Sequence, residues 1–263
     1  MQTSLLSKCT RFRAYQLGNA GSSFSYFDGN NFTLIEARLT DLSRTYLEWE
    51  LRNCGRTQIY GLHITSWDVD HCAKKELEII LKDFRPTKIE YPGYDPHTDT
   101  AAECLSIINT YKRKDQSKII QKIDPPYIKS LENAENWGYK DVIYHPKYIS
   151  EGSNCNSTVK LFRTGCFNVA SLGDVDNQNI SAYLKSQRIF YEEVDIMILA
   201  HHGADNGFTT ASFIREVRPT IAICSSNYDN QFEHPKPEIK ELLYKFEIPL
   251  YTTKTGDVVV AHM

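Results

Sequence analysis

Three times along this chain, an apolar run that reads as a β-strand stops at a group of carboxylates or imidazoles. The first is Ile64-Thr65-Ser66-Trp67-Asp68-Val69-Asp70-His71, the second Leu172-Gly173-Asp174-Val175-Asp176, the third Leu199-Ala200-His201-His202-Gly203. Ligands gather at the carboxyl ends of strands in α/β sheets, and carboxylates with imidazoles suit a divalent ion. Singly, each run has a plainer reading. Asp-x-Asp-His would serve as a helix cap with first-turn carboxylates, Gly-Asp as a turn, and His-His-Gly as a packed or capping pair. Three in succession imply a fold that brings several strand ends together.

The remaining pattern agrees with such a fold. Phe24, Tyr26, Phe32, Leu34 and Ile35 flank an Asp28-Gly29-Asn30-Asn31 turn, as in a hairpin. Stretches 45–51 and 59–65 read as further strands. Leu77, Ile80, Leu81 and Phe84 recur at helical spacing with Pro86 just beyond, and 101–111 reads as a second helix. Residues 115–150 mix charge, prolines and aromatics, and predict an irregular insertion of short elements. From 159 onward the pattern alternates: strands within 159–172, a helix at 180–190, a buried strand at 194–200, a helix at 209–217 and a strand at 220–224. A helix at 238–246 and strands at 250–253 and 258–261 follow. Hairpins in front and strand–helix alternation behind predict an α/β chain with two sheets between helices, one domain over 1–263.

Composition narrows the partners. The formal net charge of −3 gives no global basic field toward nucleic acid or anionic lipid. Any nucleic-acid binding must use a local patch or a partner. Lys112, Arg113, Lys114, Lys118 and Lys122 form the one basic cluster; it is placed to track a phosphate backbone, but its plainer reading is a solvated helix face. Seven scattered cysteines without a Cys-x-x-Cys pair predict reduced thiols in a cytosolic protein. Residues 1–15 carry Lys8, Arg11 and Arg13 without an apolar stretch behind them, so no signal peptide is expected. The longest apolar run, 194–200, is too short to cross a bilayer. The expected setting is cytoplasmic, with no membrane partner.

Thr65 to His71 resembles the metal motif of the metallo-β-lactamase fold in its ComEC-type form, Thr/Ser-His-x-Asp-x-Asp-His. Leu17-Gly18-Asn19-Ala20-Gly21-Ser22-Ser23 resembles the opening turn of that family, and Asn156-Ser157-Thr158-Val159 its strand entry. Leu172-Gly173-Asp174, His201-His202-Gly203, Asn227 with His234-Pro235, and the closing stretch 252–258 resemble its later elements, in the same order. The resemblance implies a four-layer αββα sandwich and a metal-dependent hydrolase, above all a phosphodiesterase or nuclease cleaving DNA or RNA with metal-activated water. Family context adds a partner protein or further domain for specificity, and an effector role in bacterial antiviral defence.

Carried over residue by residue, the resemblance puts Asp70, His71, Asp174 and His202 around one ion, with Asp174 bridging to a second ion held by Asp68. His201 is the alternative to His202. Asp70 and His234 take catalytic roles, Asn227 lies near substrate, and Ser66 and Asn156 are further ligands or supports. One or two ions of Zn, Mn or Mg are implied. Ser66 stands where the family has a His, and Asn154 or Asn156 where many relatives have another. The second site would therefore be oxygen-rich, suited to Mn²⁺ or Mg²⁺, or empty. Two other readings stay open: a phosphodiesterase for a small nucleotide, and an interaction module whose ligand set has decayed.

Overall fold

A computed structural model describes residues 9–132 and 140–262. Residues 1–8, part of the stretch examined above for a signal peptide, and residues 133–139 of the expected insertion lie outside the described residues. The first sheet contains β1 (Thr10–Ala14), β2 (Phe24–Phe27), β3 (Phe32–Ile35), β4 (Gly61–His63), β5 (Lys88–Pro92) and β6 (Ile119–Ile123). The second contains β7 (Val142–His145), β8 (Val159–Phe162), β9 (Val169–Ser171), β10 (Ile196–Ile198), β11 (Ile221–Cys224) and β12 (Leu250–Thr252). The last strand, β13 (Val258–His262), returns to the first sheet and gives the order β13-β1-β2-β3-β4-β5-β6, against β12-β11-β10-β9-β8-β7 in the second. Both sheets are mixed. Strands β3 to β6 run parallel, as do β9 to β12.

Alternation of side chains along the strands builds the layers. Phe12, Phe24, Tyr26 and Ile35 from the first sheet meet Phe162, Val169, Ile196, Ile198 and Ile223 from the second in one core. The opposite face of the first sheet packs through Leu34 and Leu62 on α1 (Asp41–Asn53), α2 (Lys74–Ile79) and α3 (Asp99–Lys114). The outer face of the second packs through Leu161, Ala170 and Met197 on α5 (Gln178–Ser186), α6 (Arg188–Glu193), α7 (Ala211–Val217) and α8 (Pro237–Lys245). The result is the expected four-layer αββα sandwich.

Three expectations change. Residues 45–51 are helical, inside α1, where Ser43, Leu47, Glu50 and Leu51 are buried at helical spacing and Thr40 caps the start through Ser43. Tyr46 and Trp49, residue types common in strands, lie on the exposed side of that helix. Strands β1 and β5 carry charged residues that hid their pattern: Arg11 and Arg13 turn toward Glu50 of α1, and Glu90 is buried. Among its described residues, the stretch 115–150 is more regular than expected. It supplies β6, the short helix α4 (Pro125–Glu132) and β7, so each sheet gains an outer strand from it. Among the described residues, no helix is long and apolar enough to cross a membrane.

Candidate metal centre

Five of the parallel strands, β3, β4, β9, β10 and β11, are each followed by a polar residue of one site. Glu36 follows β3, Thr65 to His71 follow β4, Asp174 follows β9, His202 follows β10 and Ser225 follows β11. The result is one group: Asp70, His71, Asp174 and His202 each offer a ligand atom, all within 4.8 Å of one another. It is the one such group among the described residues.

Second partners aim the two imidazoles. His71 Nδ1 lies 3.1 Å from Glu36 Oε1, and its Nε2 lies 2.9 Å from Asp174 Oδ1. Glu36 is itself fixed by two donors of Thr65, the backbone N–H at 3.0 Å and the hydroxyl at 2.6 Å. His202 Nδ1 donates to the Ser225 carbonyl at 3.0 Å, which turns Nε2 toward Asp70 Oδ2 at 3.1 Å. A carboxylate or carbonyl behind a histidine fixes its tautomer and raises its basicity as a ligand.

The backbone reaches this arrangement at a cost. His201 and His202 both adopt left-handed conformations, φ 46° and 53°, ahead of Gly203 at φ 78°. Gly173 also has positive φ, and a Cβ there would come within 3.0 Å of Ser157 and Thr65 side chains. The strand end before Asp174 can therefore approach β4 only with glycine.

The donor set fits a divalent ion. His71 Nε2 and Asp174 Oδ1 are buried, 2.9 Å apart, and have no partner besides each other. Two buried ligand atoms whose only partner is each other are what a shared cation can take over. The electrostatics agree. Burial pushes His71 down, but Asp174, Glu36 and Asp70 outweigh it and hold the imidazole well above its ordinary value. For His202, burial acts the same way and Asp70 and Asp174 reverse it. Burial would raise Asp70, yet His71 and His202 keep it well below the usual carboxylate range. Asp174 is likewise lowered, burial being outweighed by His71 and His202. The pocket favours positive charge, whether as protons or as a metal that displaces them.

The other residues singled out from sequence fall elsewhere or beside this group. Asp68 is not in it: its Oδ2 accepts from the Ser66 hydroxyl at 2.9 Å. Ser66 is fully buried and also meets Tyr94 Oη at 3.0 Å, so a second ion would have to break that cluster. Asn156 spends its amide on the backbone of Ser150 and Gly152, as a loop staple. His201 points away, to Asn154 at 3.3 Å, and His145 donates to the Cys155 carbonyl at 2.7 Å. His234 stacks on His202 with ring centroids 6.3 Å apart, and burial, then His202 and His201, push it down to about 4. It is a neutral imidazole beside the group, outside it. Asn227 gives its carbonyl to Asn230. Sequence reasoning missed Glu36, although the rule it applied elsewhere, a carboxylate directly after an apolar strand, marks it.

Two sheets between helices, with this polar group at their strand ends, define the metallo-β-lactamase fold. The chain shares that fold with solved metallo hydrolases and is similar in sequence to ComEC-type proteins. It is 25% identical over 207 residues to ComE operon protein 3 of Bacillus subtilis, covering 76% of this chain and 24% of that protein. Recombination protein 2 of Haemophilus influenzae matches at 25% over 105 residues, 40% of this chain and 13% of that protein. The chain thus spans about a quarter or less of the length of these relatives. Among solved structures, Igni18, a metallo hydrolase of Ignicoccus hospitalis, aligns over 97% of this chain and 99% of its own with TM-score 0.53 and 16% identity. A variant of the CmlA β-hydroxylase aligns over 96% of this chain and 54% of its own with TM-score 0.55 and 10% identity. No family model matches the chain.

Proposed function

We propose that this chain is a metal-dependent hydrolase that cleaves phosphodiester bonds of nucleic acid. The observation that carries the reading is the convergence of two histidines and two aspartates, four ligand atoms within 4.8 Å of one another, with His71 Nε2 and Asp174 Oδ1 buried and partnered only by each other. Its likeness to Igni18, a metallo hydrolase, supports the hydrolase class. Similarity to ComE operon protein 3 supports the nucleic-acid substrate through the ComEC-type resemblance.

Asp70, His71, Asp174 and His202 would hold the ion. When bound, a divalent ion there supplies Lewis-acid polarisation of a phosphoryl oxygen and makes a nearby water more acidic. The chain's own residues do the rest. Glu36 and Thr65 keep His71 in register, and the Ser225 carbonyl keeps His202 so. Asp70 is the most exposed of the four, its side chain one-third accessible, and it is the carboxylate placed to take a proton from incoming water. His234, neutral and on the open side of His202, is placed to hydrogen-bond a phosphate oxygen.

One ion per chain is the stoichiometry this donor set supports, because Asp68 and Ser66 are engaged with each other. A partner or further domain belongs to the same proposal, since the relatives extend well beyond the matched part. So do a cytoplasmic setting, in keeping with seven free cysteines, and an effector role in antiviral defence. The net charge of −3 favours a second reading, a small cyclic or linear nucleotide as substrate. Assays on oligonucleotides and cyclic nucleotides side by side separate the two.

Asp174→Asn tests the centre, because it keeps the shape and removes the charge. Metal analysis should fall from about one ion per chain to near none, and oligonucleotide cleavage by roughly a hundredfold or more. Circular dichroism should be unchanged. Full turnover in this variant, or wild-type protein that takes up no divalent metal, overturns the reading.

A further inference from the structure

We propose that Phe232 and Tyr228 form a stacking platform for unpaired bases of a single-stranded nucleic acid as it enters the metal centre. The inference rests on the phosphodiesterase reading and names its substrate class.

Large apolar side chains standing out of a surface beside a polar centre mark a binding face. In the loop between β11 and α8, Tyr228 is 76% and Phe232 59% exposed. The loop is locked by one residue. Asn230 Oδ1 accepts from the His234 backbone N–H at 2.6 Å, and its amide donates to the carbonyls of His234 at 2.9 Å and Asn227 at 3.2 Å. The loop backbone that carries both aromatics is therefore held before any ligand arrives, which lowers the entropy lost on binding.

Ring order gives the chemistry. His202, a proposed ligand, stacks on His234 at 6.3 Å and 12°, and His234 on Phe232 at 5.7 Å and 26°. Three near-parallel rings run outward from the centre and end on the free face of Phe232. What continues such a stack is another flat π-system. In a phosphodiester of nucleic acid that group is the base, and base–aromatic stacking is tolerant of sequence. A duplex hides its base faces in its own stack, so only an unpaired base can offer one.

Charge agrees with stacking as the main attraction. Asp229 and Glu233 each follow one of the two aromatics and repel phosphate, whereas Lys236 lies on the far side of His234 in sequence. The backbone would run on the lysine side, and binding would depend only weakly on salt.

The test uses the full chain stripped of metal with EDTA, and a short single-stranded oligonucleotide containing 2-aminopurine. Binding should quench the 2-aminopurine fluorescence, with a shallow salt dependence. Phe232→Ala and Tyr228→Ala should each weaken binding roughly tenfold. Phe232→Trp should keep it, while Phe232→Leu, similar in bulk without a π-face, should lose it. A duplex of the same sequence should bind poorly. Unchanged binding in the alanine variants, full binding by Phe232→Leu, or equal binding of the duplex overturns the platform. Cleavage assays on metal-loaded protein keep the two proposals apart. Quenching without any cleavage sinks the phosphodiesterase reading alone. Cleavage that is indifferent to Phe232 and Tyr228, with no quenching, sinks the platform alone.

Discussion

Glu36 shows how much of the centre lies behind the groups that face an ion. It is 1% exposed, accepts two hydrogen bonds from Thr65, and touches His71 on the side away from Asp174. Replacing it with glutamine keeps the volume and removes the charge that makes His71 a strong base. Glu36→Gln should bind divalent metal about 10–100-fold more weakly, measured by competition with a chelating dye, while Asp174→Asn should lose it outright. Equal affinity in Glu36→Gln and wild type would show that Thr65 alone orients His71. The convergence of Asp70, His71, Asp174 and His202 was legible in the sequence, because each follows a strand and parallel strand ends meet. What Asp68 and Asn156 do was not. Ser66 and the Ser150–Gly152 backbone claim their polar atoms, and such local partners leave no periodic trace.

At the scale of elements, the tightest constraint is the turn after β10. Two consecutive histidines hold left-handed φ there, a conformation that costs a residue with a Cβ roughly 1 kcal/mol or more each. His202 gains a place in the polar group by it; His201 gains the hydrogen bond with Asn154 and ring contacts with His202 and His234, outside that group. His201→Gly should therefore raise the melting temperature by about 2–4 °C and leave metal content unchanged. His202→Gly should lose the metal. The reverse pattern would mean that the two histidines have been assigned the wrong way round. Strands and helices of the second half were legible for the same reason that this turn is sharp: buried parallel strands are short continuous apolar runs with polar breaks. Helix α1 was misread because its exposed side, Tyr46 and Trp49, carries residues that favour strands, and burial of Leu47 and Leu51 overrides that preference.

Across the whole molecule, the two sheets are joined by charge as well as by apolar packing. Glu90 of β5 is 4% exposed and meets Lys160 of β8 at 2.9 Å, with His63 of β4 also at 2.9 Å. Lys88 pairs with the same carboxylate, and Lys160 reaches Asp141 at 3.3 Å. The cluster lines a cavity of about 310 Å³ between the sheets, which none of the four centre residues touches. Burial alone would raise the Glu90 pKa, but Lys160, His63 and Lys88 outweigh it and hold the carboxyl well below its usual value. A depressed carboxyl contributes stability that is present above the unfolded value near pH 4.3 and is lost as pH falls through the folded one. Glu90→Gln should cost about 3 kcal/mol at neutral pH, by leaving cations buried, and its melting temperature should fall less steeply than that of wild type below about pH 4. Parallel acid-denaturation curves would exclude this role. The pairing of β1 with β13, Thr10 opposite His262, has a consequence of a different kind. Ala14 pairs with Val258, so the outer edge of β1 stays unpaired until the long stretch between them has been made. The turn that follows β1 carries Ser22, whose backbone N–H bonds the Asp70 carbonyl at 2.9 Å. Until β13 pairs, the strand that leads into this turn has only β2 beside it.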